Sequence, residues 1–328
     1  MPDRLQVSKT YKLFIDGKFP RSESGRTIAV ADSRGGIAAH ICHASRKDLR
    51  DAVTAARKAL PGWRNATAYL RGQILYRMAE MMEGKRDELA AALLLGGGRP
   101  SERPALAKGS NARLTRPSAA AAQREVEASI DRLVAYAGWA DKYAQVLGCN
   151  NAVAGPYYNF TVPEPTGVVA VVAPDSPGLL GLVSLIAPAL CAGNAVVALA
   201  GESHPIAAAV LAEVFATSDL PGGVLNLLTG TRDELVPIIA GHRDIDAVLG
   251  AGVSPDQART LREGAAENVK RVKIIEIAVA PARNAPGKTS RKGAGASGID
   301  WYSANACESP WWIESVVEMK TIWHPSAA

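Results

Sequence analysis

Four cysteines, Cys42, Cys149, Cys191 and Cys307, and five histidines are the side chains in this 328-residue chain whose chemistry is easiest to recruit. They are scattered, without the spacing that a metal site or a disulfide framework needs, so no metal is expected. Cys191 lies in the run ALCAGN, among small residues, and reads as a core cysteine rather than a nucleophile. Cys307 has Glu308 beside it, and a neighbouring carboxylate raises a thiol pKa by like-charge repulsion. His242 and His324 are candidate bases, yet no spacing joins either to a cysteine; His204, just before Pro205, reads as a surface residue at a helix start. Residues 96–118 carry Arg99, Arg103, Lys108, Arg113 and Arg116 among Gly, Pro and Ser. Such a loop could receive phosphate or nucleic acid, but no aromatic residue interleaves the charges, and a solvated loop is the reading adopted.

The elements that must position these groups are clearest between residues 164 and 230. The runs 168–173, 195–199 and 224–228 are short, apolar and non-alternating, as strands buried on both faces are. Helix-length segments, 179–192 and 207–217, separate them. The pattern is βαβαβ, the unit of a doubly wound, mostly parallel α/β domain. Residues 245–249 and 272–278 supply two further strands, with a helix over 255–266 between them. Asp175 is the one charge between Glu164 and Glu202, but the Pro- and Gly-containing breaks at 174–178 and 193–194 cut the run too short for a membrane span.

Upstream, residues 11–20 form a hairpin about Asp16-Gly17. Ser45 caps a helix with Asp48 as its N3 acid, and Leu49, Val53, Ala56 and Leu60 follow at helical spacing. One helix is expected over 66–95, with Leu70, Ile74, Leu75, Met78 and Met81 as its stripe. Another covers 119–147, with Ile130, Leu133, Val134, Tyr136 and Ala137 inward. Residues 149–163 read as an extended hairpin. Residues 279–298 read as a linker rich in Ala, Gly and basic side chains. Beyond it Trp301, Trp311 and Trp312 need burial, and 316–323 alternates like a strand. Hydrophobic residues at 48% suit a sizeable core, and a net charge of +5 is too modest to point to nucleic acid. An N-terminus without an apolar run, together with sparse cysteines, points to the cytoplasm.

Taken in order, FIDGKF, YAGWADK, EPTGVVAVVAP, APALCAGNAVV, LPGGVLNLLTG, IIEIA and the final VVEMKTIW resemble the aldehyde dehydrogenase superfamily. The resemblance implies a Rossmann-like coenzyme-binding domain with N-terminal helices, a catalytic domain carrying a nucleophilic cysteine, and a β arm for oligomerisation. It divides the chain into an N-terminal part of the coenzyme domain (1–148), an arm hairpin (149–163), the core (164–278), a linker (279–298) and a tail with the arm's last strand (299–328). The oxyanion asparagine falls on Ser176, whose shorter side chain would not reach the same point; one lost oxyanion donor costs about 3 kcal/mol. The general-base glutamate falls on Glu276. Coenzyme contacts fall on Pro174, Leu199, Glu202, Gly230 and Gly252. Leu199 stands where the family has a ribose-binding lysine, and Val253 and Gln257 replace a hydroxyl and a glycine at the helix expected under the pyrophosphate. NAD or NADP is therefore the implied cofactor, with binding weakened or lost. After Ala278 about twenty residues stand where a catalytic domain of about 150–200 would follow. The resemblance thus implies a shortened, degenerate member: a non-catalytic subunit that assembles, through 149–163 and 316–323, with itself or with a complete aldehyde dehydrogenase. The alternative is an NAD(P)-dependent aldehyde oxidoreductase completed by a partner chain.

Overall fold

The computed structural model describes residues 8–31, 36–95, 117–277 and 298–326. The basic loop and the linker expected from the sequence lie almost wholly outside these residues. The chain opens with β1 (Lys9–Tyr11), then a turn in which Asp16 and Gly17 both take positive φ, as a two-residue hairpin turn requires. That hairpin does not stand alone: Phe14 bridges Leu227, so it is laid along the main sheet. Two strands absent from the sequence reading follow, β2 (Thr27–Ala31) and β3 (Ile37–Cys42), and the small sheet has the order β1-β3-β2.

Helix α1 (Arg46–Arg64) begins with the expected capping box of Ser45 and Asp48, and buries Leu49, Val53, Ala56 and Leu60. The long helix expected next is two, α2 (Ala68–Gly84) and α3 (Arg86–Leu94), separated at Lys85, whose ψ of 14° leaves the helical region. Leu70 is 44% exposed and Met82, rather than Met81, is fully buried. Likewise α4 (Ala119–Trp139) is followed by a separate short α5 (Tyr143–Leu147). Leu133 and Tyr136 point inward as expected, but Val134 is exposed, and the charged Glu125 and Arg132 are buried in its place. The arm hairpin is β4 (Cys149–Asn151) against β5 (Tyr157–Pro165).

The core alternates strictly thereafter: β6 (Val168–Val172), α6 (Gly178–Ala192), β7 (Ala195–Leu199), α7 (Pro205–Ala216), β8 (Leu225–Leu228), α8 (Arg232–Gly241), β9 (Ala247–Ala251), α9 (Pro255–Ala265) and β10 (Arg271–Ile275). All five strands are parallel, in the order β10-β9-β6-β7-β8. Alternate residues of β6 serve the two faces: Val169 and Val171 pack with α4, α6 and α7, and Val168, Ala170 and Val172 with α1, α8 and α9. Both faces are covered, which is why these strands read as continuous apolar runs. Helix α6 is buried from Leu179 to Ala192 and stops at Gly193, whose φ of 95° only glycine adopts readily.

The tail then crosses back over the domain. Short helices α10 (Ala304–Cys307) and α11 (Trp311–Glu314) seat Trp301 and Trp312 in the core while Trp311 stays exposed. Finally β11 (Val317–Pro325) runs antiparallel to β5 along its whole length, giving a sheet of order β11-β5-β4. Among the described residues no helix is long and apolar enough to cross a membrane.

Candidate functional site

In an open parallel sheet, ligands bind beyond the carboxyl ends of the strands, where the strand order reverses. Here the order reverses between β6 and β9, and the residues that follow β6, β7, β8 and β9 converge there. Pro174 closes β6 and is buried; a Cβ on Gly252 would come within 3.3 Å of its Cα, and one on Gly201 would collide with its carbonyl oxygen. Gly252 takes φ +66°, so the close approach of the two loops depends on its lacking a side chain. Gly230 is buried for a different reason: a Cβ there would meet Leu235 and His43, so it serves packing.

The charged groups at these strand ends are bound to one another. Asp175 accepts hydrogen bonds from the backbone N–H groups of Glu202 (2.7 Å) and Ser203 (3.2 Å) through Oδ1. Its Oδ2 takes Arg232 Nη1 at 2.8 Å. Arg232, with only 7% of its side chain exposed, donates Nη2 to the Ala173 carbonyl at 2.6 Å. The Arg232 backbone N–H donates to Glu202 Oε1 at 2.8 Å, so Glu202 caps α8, whose own N-cap Thr231 makes no side-chain cap. Burial pushes the Asp175 carboxyl up, but the Arg232 charge and three hydrogen bonds outweigh it and hold it below the ordinary 3.8. Loops after three strands are thereby tied together. Arg232 carried no sequence signal, because TRDEL after Gly230 reads as an ordinary polar helix start.

The first turn of α9 is similarly occupied. Ser254 Oγ accepts from the Gln257 N–H and Gln257 Oε1 accepts from the Ser254 N–H, a reciprocal capping box. Pro255 has no N–H to offer. Gln257 Nε2 reaches across to Asp233 Oδ1 at 2.7 Å, which straps the start of α9 to the start of α8. Phosphate binding at a helix N-terminus needs free N–H groups and an unfavoured position for carboxylates. This one has a proline, a donor already engaged, and Asp256 and Asp233 alongside. Leu199 is buried at the end of β7, in the core on the α1 face, and offers no donor. The residues at these strand ends therefore do not fit a dinucleotide held by the contacts that the resemblance implied.

The two groups carried over for chemistry are both exposed, Ser176 beyond β6 and Glu276 beyond β10, and neither side chain has a hydrogen-bond or ion-pair partner among the described residues. Two strand positions separate them, about 10 Å across the sheet. No thiol joins them. Cys42, Cys191 and Cys307 are buried and Cys149 lies on β4 of the arm. Burial pushes the Cys191 thiol up to about 12, and burial more than Glu308 raises that of Cys307. His204, expected at the surface, is half-buried, its ring against Gly178 and its Nδ1 without a partner; burial lowers its pKa. The His242 ring accepts from the Asp244 N–H of its own loop, and His324 lies on the arm. Among the described residues no group of three or more His, Cys, Asp or Glu could hold a metal ion. One buried carboxylate was missed by the sequence reading: Glu125 Oε1 accepts from the N–H groups of Leu179 (2.8 Å) and Leu180 (3.2 Å), capping α6 from α4. Its burial raises its pKa against those two bonds.

Parallel strand order, the loops that converge beyond β6 and the arm sheet together define a doubly wound α/β domain of the aldehyde dehydrogenase type. Residues 19–277 match the model of the aldehyde dehydrogenase family. The chain is 31% identical over 277 residues to mitochondrial benzaldehyde dehydrogenase of Antirrhinum majus, covering 83% of this chain and 48% of that protein. It is 33% identical to retinal dehydrogenase 2 of Mus musculus, covering 82% and 49%. Among solved structures, the NAD+ complex of aldehyde dehydrogenase from Bacillus cereus superposes with a TM-score of 0.71 at 27% identity, covering 82% of this chain and 51% of that one. This chain belongs to the aldehyde dehydrogenase family. It spans about half the length of the relatives it matches.

Proposed function

We propose that this protein is a shortened, non-catalytic member of the family: a structural or regulatory subunit that assembles with itself or with a complete aldehyde dehydrogenase. The observation that carries the reading is the fate of its thiols. The family's chemistry, as the resemblance implies it, needs a nucleophilic cysteine at the strand ends, and all four cysteines of this chain are either buried or on the arm. Coenzyme binding is weak or lost in this reading, supported by the engagement of Glu202 with α8 and the capped, acidic start of α9. The arm, 149–163 with 316–323, is the assembly surface, supported by its nine-residue pairing of β5 with β11. Residues 1–148 and 164–278 form the coenzyme-type domain, 279–298 stand in for the catalytic domain, and the setting is cytoplasmic.

Affinity purification from the source cell with mass spectrometry tests the partner, and calorimetric titration with NAD and NADP to millimolar concentration tests the coenzyme. A stable monomer that co-purifies with no relative would sink the assembly reading. Saturable binding of NAD or NADP below about 100 μM, a typical dehydrogenase range, would sink the coenzyme part. A second reading, an NAD(P)-dependent aldehyde oxidoreductase completed by a partner chain, draws on one observation: Ser176 and Glu276 remain exposed at the strand ends. It predicts aldehyde-dependent NAD(P)H formation that appears only when a cysteine-bearing partner is added.

A further inference from the structure

We infer that the cavity between the start of α1 and the end of α8 is a binding site for an organic phosphate: a small molecule whose phosphate head is held by Arg46, Arg50 and Arg243 and whose apolar body lies on Pro237 and Ile238. None of the residues that line it belongs to the arm or to the loops that converge beyond β6, so it stands apart from the function proposed above.

The cavity has a volume of about 940 Å³, the size of a small-molecule site. Arg46, Lys47 and Arg50, on the first turns of α1, line one wall, and His242 and Arg243, just past α8, line the other. Two of its three carboxylates are already engaged. Glu23 accepts from Ser45 Oγ at 3.2 Å and pairs with Lys47 at 3.6 Å. Glu234 takes both Nη groups of Arg26, Nη1 at 3.1 Å, and lies 3.3 Å from His43 Nε2. The cations are not so engaged. Arg46 and Arg243 have no hydrogen-bond or ion-pair partner among the described residues, and Arg50 has only Asp51 at 3.5 Å. His242 Nδ1 accepts from the Asp244 N–H at 3.3 Å, which leaves the Nε2–H of that neutral tautomer uncommitted. Burial lowers the His242 pKa and so favours the neutral ring. Donors without acceptors thus converge on one cavity, against a single unpaired carboxylate, Asp244. An anion corrects that imbalance.

Side chains, and not the helix ends, select the ligand. Ser45 Oγ already accepts from the N–H groups of Lys47 and Asp48 at the start of α1. At the end of α8, Lys270 Nζ donates to the carbonyls of Ile239, Ala240 and His242, which offsets the negative end of that helix. A guanidinium presents two parallel N–H groups to a pair of oxygens. A carboxylate has one such pair and is satisfied by one arginine. A phosphate head carries three oxygens and close to two charges, so that it suits two or three arginines together. The cavity is far larger than that head. Pro237, exposed, and Ile238, half-buried, lie on the same lining and give an apolar surface that inorganic phosphate would leave uncovered. A phosphate ester with a flat apolar body uses both parts.

The test is calorimetric titration of the whole chain at low ionic strength with phenyl phosphate, inorganic phosphate and phenol. Phenyl phosphate should bind saturably at one site with a Kd below about 1 mM. Inorganic phosphate should bind about tenfold more weakly for want of the apolar contact, and phenol should give no heat of binding. Arg46→Gln and Arg243→Gln should each weaken phenyl phosphate about tenfold, the loss of one charge-assisted pair. Asp244→Asn should tighten it about threefold by removing the opposing charge, a gain that no misfolded variant could imitate. Lys18→Gln removes an exposed cation of the N-terminal hairpin, outside the cavity, and should change nothing. Absence of saturable binding up to about 10 mM phenyl phosphate overturns the site. So does a loss in Lys18→Gln equal to that in Arg46→Gln, because binding would then follow net charge. Inorganic phosphate that binds as tightly as phenyl phosphate overturns the organic ligand, since Pro237 and Ile238 would contribute nothing.

Discussion

Arg232 is the residue on which the strand ends depend. Its guanidinium joins Asp175 and the Ala173 carbonyl, and its backbone N–H is held by Glu202, so one residue links the loops after β6, β7 and β8. Arg232→Met removes the guanidinium bonds and leaves Asp175 facing its neighbours without a counter-charge. Loss of one partner of a buried pair costs about 3–5 kcal/mol, but Asp175 is about one-third exposed, which lowers the expectation to about 2 kcal/mol in denaturant unfolding. The pH dependence has a definite sign. A carboxylate held below its ordinary value contributes stability above pH 3.8 and loses it as pH falls through the lower folded value. Asp175→Asn should therefore be less stable than the native chain near neutrality, and its melting temperature should fall less steeply below pH 4. Parallel acid limbs for the two proteins would remove Asp175 from this role. None of this was legible beforehand. Asp175 was visible only as a lone charge in an apolar run, and Arg232 drew no reading at all, because a contact between residues 57 positions apart has no local pattern.

At the scale of elements, legibility follows how far local pattern and tertiary need agree. Strands β6 to β9 were readable since burial on both faces demands apolar runs, the edge strand β10 from its alternation of Arg271 and Lys273 with apolar residues, and α6 because Gly193 ends it. Helix α8 was missed, and its sequence explains why. Pro237 interrupts the hydrogen-bond ladder and no side chain of its own caps either end. It is held from outside, by Glu202 at the start and by Lys270 at the finish. Lys270 is 5% exposed and donates Nζ to the carbonyls of Ile239, Ala240 and His242 at 3.2, 2.8 and 2.7 Å. Those are the orphan acceptors of a helix C-terminus. Lys270→Met keeps the length and the apolar stem but takes away the donor to the Ala240 carbonyl and one of the two donors to those of Ile239 and His242, which still accept from the His242 and Ile245 N–H groups, an expected loss of about 1–3 kcal/mol. Amide hydrogen exchange should quicken first in α8, ahead of β6 and β7. Uniform quickening across the sheet would show that Lys270 supports the domain and not the helix. Strands β2 and β3 escaped for the opposite reason. They are short and irregularly apolar, and they exist because the edges of the small sheet need each other.

On the scale of the whole molecule, the tail is two structures in one. Up to Val317 it is core: Trp301, Trp312, Ile313, Val316 and Val317 are buried with the main cluster. Arg132, itself buried, donates to the Trp301 carbonyl at 2.9 Å, Tyr136 donates to that of Cys307 at 2.9 Å, and Asn194 donates to that of Val316 at 3.0 Å. Beyond Val317 it is arm, touching the body chiefly through β5 and the exposed pairs of Glu318 with Arg271 and Lys320 with Glu164. Exposed pairs contribute little, about 0–1 kcal/mol each. Two truncations should consequently behave differently. Removal of residues 318–328 should leave a soluble domain with its cooperative unfolding intact, because only the arm's ladder is lost. Removal of residues 299–328 strips two tryptophans from the core and orphans Arg132, whose desolvated charge then has only the Ser184 hydroxyl. That second protein should be insoluble or unfold without a cooperative transition, as buried charge left unpaired and a vacated aromatic site are among the costliest lesions known. Thermal unfolding by circular dichroism distinguishes the outcomes. If the shorter deletion is as damaging as the longer, the arm is part of the folding unit and its role in assembly must be sought with the domain intact.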